Sequence, residues 1–307
     1  MSRVYAAKCD SLGAGISEIL NLIELGDIGG KVIVKVNFVS AYEPLCATPV
    51  EAVEELVKFL SSRCRIIIAE APTIGRFKDA VRRYGYERLL EYGVEFFDLS
   101  EDDYEDFYVW GRNLKRDIKV KVSRTILQCD WLVSLVRPKT HDAVIVTLTV
   151  KNVAVGALEP GSRHKIHQGY KAMNINLAYL ATRLMPKLSL IDGYVGMQGA
   201  GPTRGAPCIL GVSLGGRNAV SVDAMAATII GFNPFDIGYL YYISKWGYGS
   251  IGPNDIKVVG LQDWRLYAKS FQPHPNFQRQ LEWRLRSDEL VKVEEELVDE
   301  GVIREAP

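Results

Sequence analysis

The feature that most constrains this chain is an alternation of short β-branched apolar runs with stretches whose apolar residues recur every three to four positions. Lys31–Phe38 (KVIVKVNF), Arg65–Ala69 (RIIIA) and Trp131–Val136 (WLVSLV) have the composition of strands buried on both faces. Between them, Ile16, Ile19, Leu20 and Ile23 space a helix over Ile16–Leu25, and Val53, Leu56, Val57 and Leu60 space a second. Thr48 is placed as the N-cap of that second helix, with Pro49 at its first position and Glu51 three residues after the cap. A helix over Phe77–Tyr92 and a strand over Val94–Leu99 continue the series, after a first short strand at Val4–Ala7. Repeated β-α-β units imply right-handed crossovers and parallel strands. The expected fold is α/β: a mostly parallel sheet flanked by helices.

Residues 100–128 break the rhythm. The acidic run Glu101-Asp102-Asp103 is followed by alternating charge over Lys115–Val122, which reads as an inserted hairpin or β-meander, or as part of a second, smaller α/β lobe. Helices are expected within Thr147–Leu158, broken by Pro160-Gly161, and over Ile175–Leu184, with a strand at Leu188–Ile191. Ile209–Leu214 and Ala219–Val222 read as strands joined by a turn at Gly215-Gly216-Arg217-Asn218, with Asp223 as N-cap of the next helix. The expected organisation is one α/β domain over 1–260, divisible into two lobes near 100–130, and a helical tail over 261–307.

The 307 residues carry 37 basic and 37 acidic side chains, so the formal charge is zero. A broad nucleic-acid surface would need a basic excess. Cys9, Cys46, Cys64, Cys129 and Cys208 are scattered, with no Cys-x-x-Cys pair, which suits free thiols in a reducing compartment and gives no iron–sulfur signature. The N-terminus lacks a signal-peptide core, and no apolar run is of membrane-spanning length. A cytoplasmic protein is expected, with no membrane or nucleic-acid partner.

Polar residues then recur at strand ends: Lys35 and Asn37, Glu70, Lys139 and His141, Asp192, and Asp223. In open α/β sheets, ligands bind beyond the carboxyl ends of the strands. Period-two alternation puts Lys35 and Asn37 on one face, and a buried lysine needs a partner or a ligand. Each residue alone also suits a strand end meeting solvent. Three of the four histidines, His141, His164 and His167, lie within 27 residues. His164 and His167 have helical i, i+3 spacing, and with Arg163 and Lys165 they form a basic segment suited to an anion. Lys151 and Asn152 interrupt the apolar run VTLTVKNVAVGAL, where a desolvated amine would serve as base or nucleophile. The loop GMQGAGPTRG offers Gly199 and Gly201 for close backbone approach and Arg204 for an anion; its spacing does not fit a dinucleotide fingerprint.

Taken in order, RPKTHDAVIVTLTVKNVAVGAL, the downstream His164 and His167, LSLIDGYVGMQGAGPTRG and VSVDAMAATIIGFNP resemble the DUF362 family, and KVIVKVNFV with Thr48-Pro49 fits its N-terminal pattern. The resemblance implies that Lys35, Asn37, Lys139, His141, Lys151, Asn152, His167, Asp192, Gly199, Gly201, Pro202 and Asp223 belong to one shared site. Some members carry a ferredoxin module, whose cysteines are missing here. The architecture is also similar to that of the nickel-pincer lactate racemases, which place His and Lys between two α/β lobes; a metal here would be either catalytic itself or part of a bound metal-containing cofactor.

The expected function is an enzyme acting on a small carboxylate or phosphate, with His141, Lys151 and Asp192 catalytic and with Lys35, Asn37, Lys139, Asn152, Gly199, Gly201 and Arg204 binding the substrate. The alternative is a metal- or metallocofactor-binding protein built on His141, His164 and His167, with His164, His167 and Asp223 as ligands of a divalent metal. The aromatic tail (Trp264, Phe271, Trp283) suits either packing onto the domain or contact with a partner or second copy.

Overall fold

A computed structural model of the chain describes residues 1–304. Along the chain the strands are β1 (Ser2–Lys8), β2 (Lys31–Lys35), β3 (Arg65–Glu70), β4 (Glu95–Asp98), β5 (Tyr104–Val109), β6 (Ile118–Ser123), β7 (Trp131–Val136), β8 (Lys139–His141), β9 (Ile145–Thr147), β10 (Leu188–Ile191), β11 (Val195–Gln198), β12 (Ala206–Ile209), β13 (Val212–Gly216) and β14 (Ile256–Val259). Eight of them form one sheet in the order β14-β1-β13-β10-β7-β2-β3-β4. Only β13 runs against the rest, pairing antiparallel with both β1 and β10. The fold is therefore the expected α/β arrangement, a mostly parallel sheet between helices.

Both faces of the sheet are covered. Val32 and Val34 point into a core with the helices Ala14–Leu22, Val50–Leu60 and Phe77–Arg83, while Ile33 points into a second core with the helices Thr149–Gly156, Tyr170–Arg183, Ala219–Ile229 and Gly238–Lys245. Continuous apolar strands follow from this double burial. After β2 the chain crosses one face toward β3; after β7 it crosses the other toward β10. The strand order thus reverses between β2 and β7, and such a switch opens a crevice at the carboxyl ends.

Two small sheets flank the large one. β5 and β6 form the inserted hairpin expected within residues 100–128. β12-β11-β8-β9 form a four-stranded sheet over the carboxyl ends of β7 and β10. Residues 261–304 fold back: Phe271 and Trp283 are buried, and Trp283 packs against Tyr241 and Tyr242.

Several local expectations change. Ala219–Val222 is helical, the start of Ala219–Ile229, and Asn218 caps it by accepting the Ser221 N–H at 2.9 Å. Gly215 and Gly216 make no turn. They end β13, where a Cβ on Gly215 would lie 2.7 Å from Leu190 Cδ2, so close strand packing demands glycine. Thr48 caps nothing: its hydroxyl accepts the Asn37 N–H and donates to the Leu135 carbonyl, each at 2.9 Å, which ties the ends of β2 and β7 together. The helix at Phe77 stops at Arg83, before Gly85 at φ 74°. Pro160 opens a short helix, Pro160–Arg163, as its fixed φ allows at a first position.

Candidate functional site

At the switch point lies a cleft of about 430 Å³, lined among others by Asn37, Glu70, His141, Lys151, Asn152 and His167. That volume suits a small molecule. Of the residues singled out in the sequence, Asn37, His141, Lys151, Asn152, His164 and His167 line it, while Lys35 and Lys139 lie buried outside the lining.

A directional polar chain underlies the cleft. Lys35 is fully buried and ion-paired with Glu70, and its ammonium also donates to the Val36 carbonyl at 2.7 Å. Burial pushes the Lys35 ammonium pKa down, and the Glu70 carboxylate opposes that push. Lys139, also fully buried, donates to Asn37 Oδ1 and to the Cys46 carbonyl. Because a lysine only donates, it fixes the Asn37 amide with its oxygen toward Lys139 and its nitrogen outward. Asn37 Nδ2 then donates to Asn152 Oδ1 at 3.0 Å, and Asn152 Nδ2 donates to the Lys35 carbonyl at 3.0 Å and to Ser134 Oγ at 3.1 Å. The expected shared face of Lys35 and Asn37 is realised in their common neighbour, Asn152. Burial, with Arg137 and Lys151 nearby, holds the Lys139 pKa down to about 7.

Lys151 differs from the other two lysines. It is buried on the helix Thr149–Gly156, yet among the described residues its Nζ has no hydrogen-bond or ion-pair partner, and it faces the cleft. Burial lowers its pKa to about 8, with Arg163 adding to the effect and the exposed Asp142 opposing it.

His141 ends β8 at the cleft wall. Its Nδ1 accepts the Ala143 N–H at 3.0 Å, so the ring proton sits on Nε2. Burial first, then Lys151, hold the imidazole pKa far below the usual value. The ring is neutral, and the 3.1 Å approach of Asp142 to Nδ1 is no ion pair. Two residues of the tail hold this segment: Gln280 Nε2 donates to the His141 carbonyl at 2.6 Å, and Asn276 Nδ2 donates to the Asp142 carbonyl at 3.3 Å. Nothing in the sequence pattern marked these two ties.

Arg163 spans the far wall, donating to the Ala71, Gly156 and Leu158 carbonyls. His164 and His167 lie on a 3-10 turn and its end, exposed at the rim.

The remaining expected site residues sit elsewhere. The Asp192 carboxylate accepts the Gly13 N–H at 2.6 Å and the Tyr194 N–H at 3.2 Å, a loop tie outside the cleft lining. Asp223 is fully buried within the helix Ala219–Ile229, and its carboxylate accepts the N–H groups of Thr149 and Val150 and the Thr149 hydroxyl. It caps the helix of Lys151 rather than its own helix, and burial lifts its pKa to about 7. Gly199 and Gly201 are structural too: the Gly199 N–H donates to the Gln272 carbonyl, the Gly201 N–H to the Gly199 carbonyl, and a Cβ on Gly201 would strike Thr140. Arg204 is exposed outside the cleft lining, to which this loop supplies Pro202 and Thr203. The ligand set His164, His167 and Asp223 does not assemble, since Asp223 is sealed under another helix. Among the described residues no three His, Cys, Asp or Glu side chains are grouped to hold a metal ion.

Residues 32–228 match the family described as Domain of unknown function (DUF362). The chain belongs to this family. The DUF362 region contains every side chain of the polar chain described above, while Asn276 and Gln280 lie beyond it. A curated relative, Thylakoid-associated protein sll1697 of Synechocystis sp., is 21% identical over 231 residues, 71% of this chain and 67% of that protein. The lactate racemase apoprotein from Thermoanaerobacterium thermosaccharolyticum is similar at TM-score 0.47 and 12% identity, over 75% of this chain and 57% of that one. No helix of the described residues is long and apolar enough to cross a membrane.

Proposed function

We propose that this DUF362 chain is an enzyme that binds a small carboxylate or phosphate in the switch-point cleft and transfers a proton there with Lys151 and His141. The observation that carries the reading is the unpartnered Nζ of Lys151, a buried residue whose amine opens only onto the cleft it shares with a neutral imidazole. A buried ammonium without a counter-charge is costly, and an incoming anion removes that cost. The cleft is lined by Lys151, Arg163 and three histidines, against two carboxylates, and one of those, Glu70, is already engaged by Lys35. Lys151, with its pKa near 8, is suited to exchange a proton close to neutral pH, and His141 offers a fixed Nε2–H donor. Lys35, Lys139, Asn37 and Asn152 are positioning residues that hold the floor rigid.

Thermal unfolding with lactate, acetate and inorganic phosphate tests the reading. At least one anion should raise the wild-type melting temperature, and Lys151→Met should lose the effect. An equal rise in both proteins would remove Lys151 from the site, and no rise with any anion would count against the cleft as an anion site.

A further inference from the structure

We propose that Lys151 is an imine-forming lysine and that the molecule it takes is an anionic oxo compound, a 2-oxo acid or an aldehyde phosphate. This rests on the anion-binding reading above and adds the chemistry of the bound molecule. Lys151 lines the cleft, and the two buried lysines near it are built differently. Lys35 is held by Glu70, and Lys139 is held by Asn37 and the Cys46 carbonyl. Lys151 alone is left without a partner among the described residues, on a rigid helix and facing a cavity large enough for a small carbonyl compound. Among the described residues, the carboxylate that opposes its positive charge is Asp142, which is exposed and lies against His141. An amine freed from carboxylates and desolvated exposes its lone pair, as nucleophilic catalysis by lysine requires.

The neutral amine attacks the carbonyl carbon; the C–N bond forms as the C=O π pair moves onto oxygen, which takes a proton. The resulting carbinolamine loses that oxygen as water while the nitrogen lone pair closes the C=N bond. One amine and one carbonyl give one imine and one water, with no oxidant or reductant. Both protons that leave the nitrogen pass to the departing oxygen, and His141, which keeps its own proton, steadies that oxygen with an Nε2–H hydrogen bond. Arg163, which lines the same cleft, balances the negative group of the substrate.

Trapping tests this. The full-length protein is incubated with pyruvate, glyoxylate or glycolaldehyde phosphate and sodium cyanoborohydride, which reduces an imine to a stable secondary amine. Intact mass and peptide mapping then locate the adduct. The expected result is one adduct on Lys151 with at least one probe, suppressed in the wild type by excess lactate and lost in Lys151→Arg. Suppression by lactate needs no variant, so the test stands even where the arginine protein folds poorly. Adducts scattered over surface lysines and indifferent to lactate overturn the proposal. If lactate and pyruvate both stabilise the wild type but no adduct forms, imine chemistry fails and the anion-binding reading survives. If no probe stabilises or labels the protein, both fail.

Discussion

The Asp223 carboxylate, midway along one helix, accepts the Thr149 N–H at 2.9 Å and the Val150 N–H at 2.8 Å, and so caps the helix that begins two residues before Lys151. A carboxylate at a helix N-terminus meets both the free N–H groups and the positive end of the helix dipole. The direction in which Lys151 enters the cleft is therefore set from the core behind it. Asp223→Ala should lower stability by about 1–3 kcal/mol and weaken anion-induced stabilisation with it. Asp223→Asn, with one acceptor in place of two, should fall between. Urea unfolding with and without phosphate measures both effects; an Ala variant with unchanged anion response would separate the cap from the site.

Lys151 gives a pH dependence of defined sign. Its folded pKa, about 8, lies below the unfolded 10.5. Below 8 both states hold the proton and the folded protein bears the full cost of the buried charge, on the order of 3 kcal/mol. Between 8 and 10.5 the unfolded state binds more protons, so this contribution to stability rises with pH. Lys151→Met should be more stable than the wild type at neutral pH, and the difference should shrink as pH rises through that window. Denaturant titrations of both proteins across the window check it.

The Lys35–Glu70 pair is fully internal, so breaking it leaves a buried charge alone. Glu70→Gln should cost about 3–5 kcal/mol, and Lys35→Met combined with Glu70→Leu should recover most of that loss. Gly156→Ala probes the same pair from the facing helix. Its Cβ would lie 2.5 Å from Lys35 Cε, and that side chain cannot swing away without leaving Glu70. The alanine variant should lose about 1–3 kcal/mol, a change visible in chemical denaturation.

His141 should remain neutral, with its proton on Nε2, as pH falls through the ordinary imidazole range near ~6.5. Nitrogen chemical shifts of the ring report both tautomer and titration. A ring that protonates in the ordinary range would remove it as a fixed donor to the cleft.

The sheet was legible because its strands are buried on both faces, which leaves runs such as RIIIA and WLVSLV with little else to become. Lys35, Asn37, Lys139 and Asn152 were legible for the converse reason: a polar group in such a run must meet something, and here they meet one another, while Lys151 meets the cleft. The same rule misled at Asp192 and Asp223. A buried carboxylate that ties a loop and one that serves a substrate look alike in sequence, and their partners lie 179 and 74 residues away. Ala219–Val222 carries β-branched residues that suit either state; the Asn218 cap decided for a helix. Gln280, outside any motif, holds His141 through a carbonyl, a contact that leaves no trace in residue pattern.

The most direct test of the central claim is calorimetric titration of lactate and of inorganic phosphate into wild type and Lys151→Met at pH values on either side of 8. One binding event is expected for at least one of the anions in the wild type, weakening as pH rises past the Lys151 pKa, and none in the variant. Binding that survives the substitution, or that ignores pH in that range, would contradict that claim.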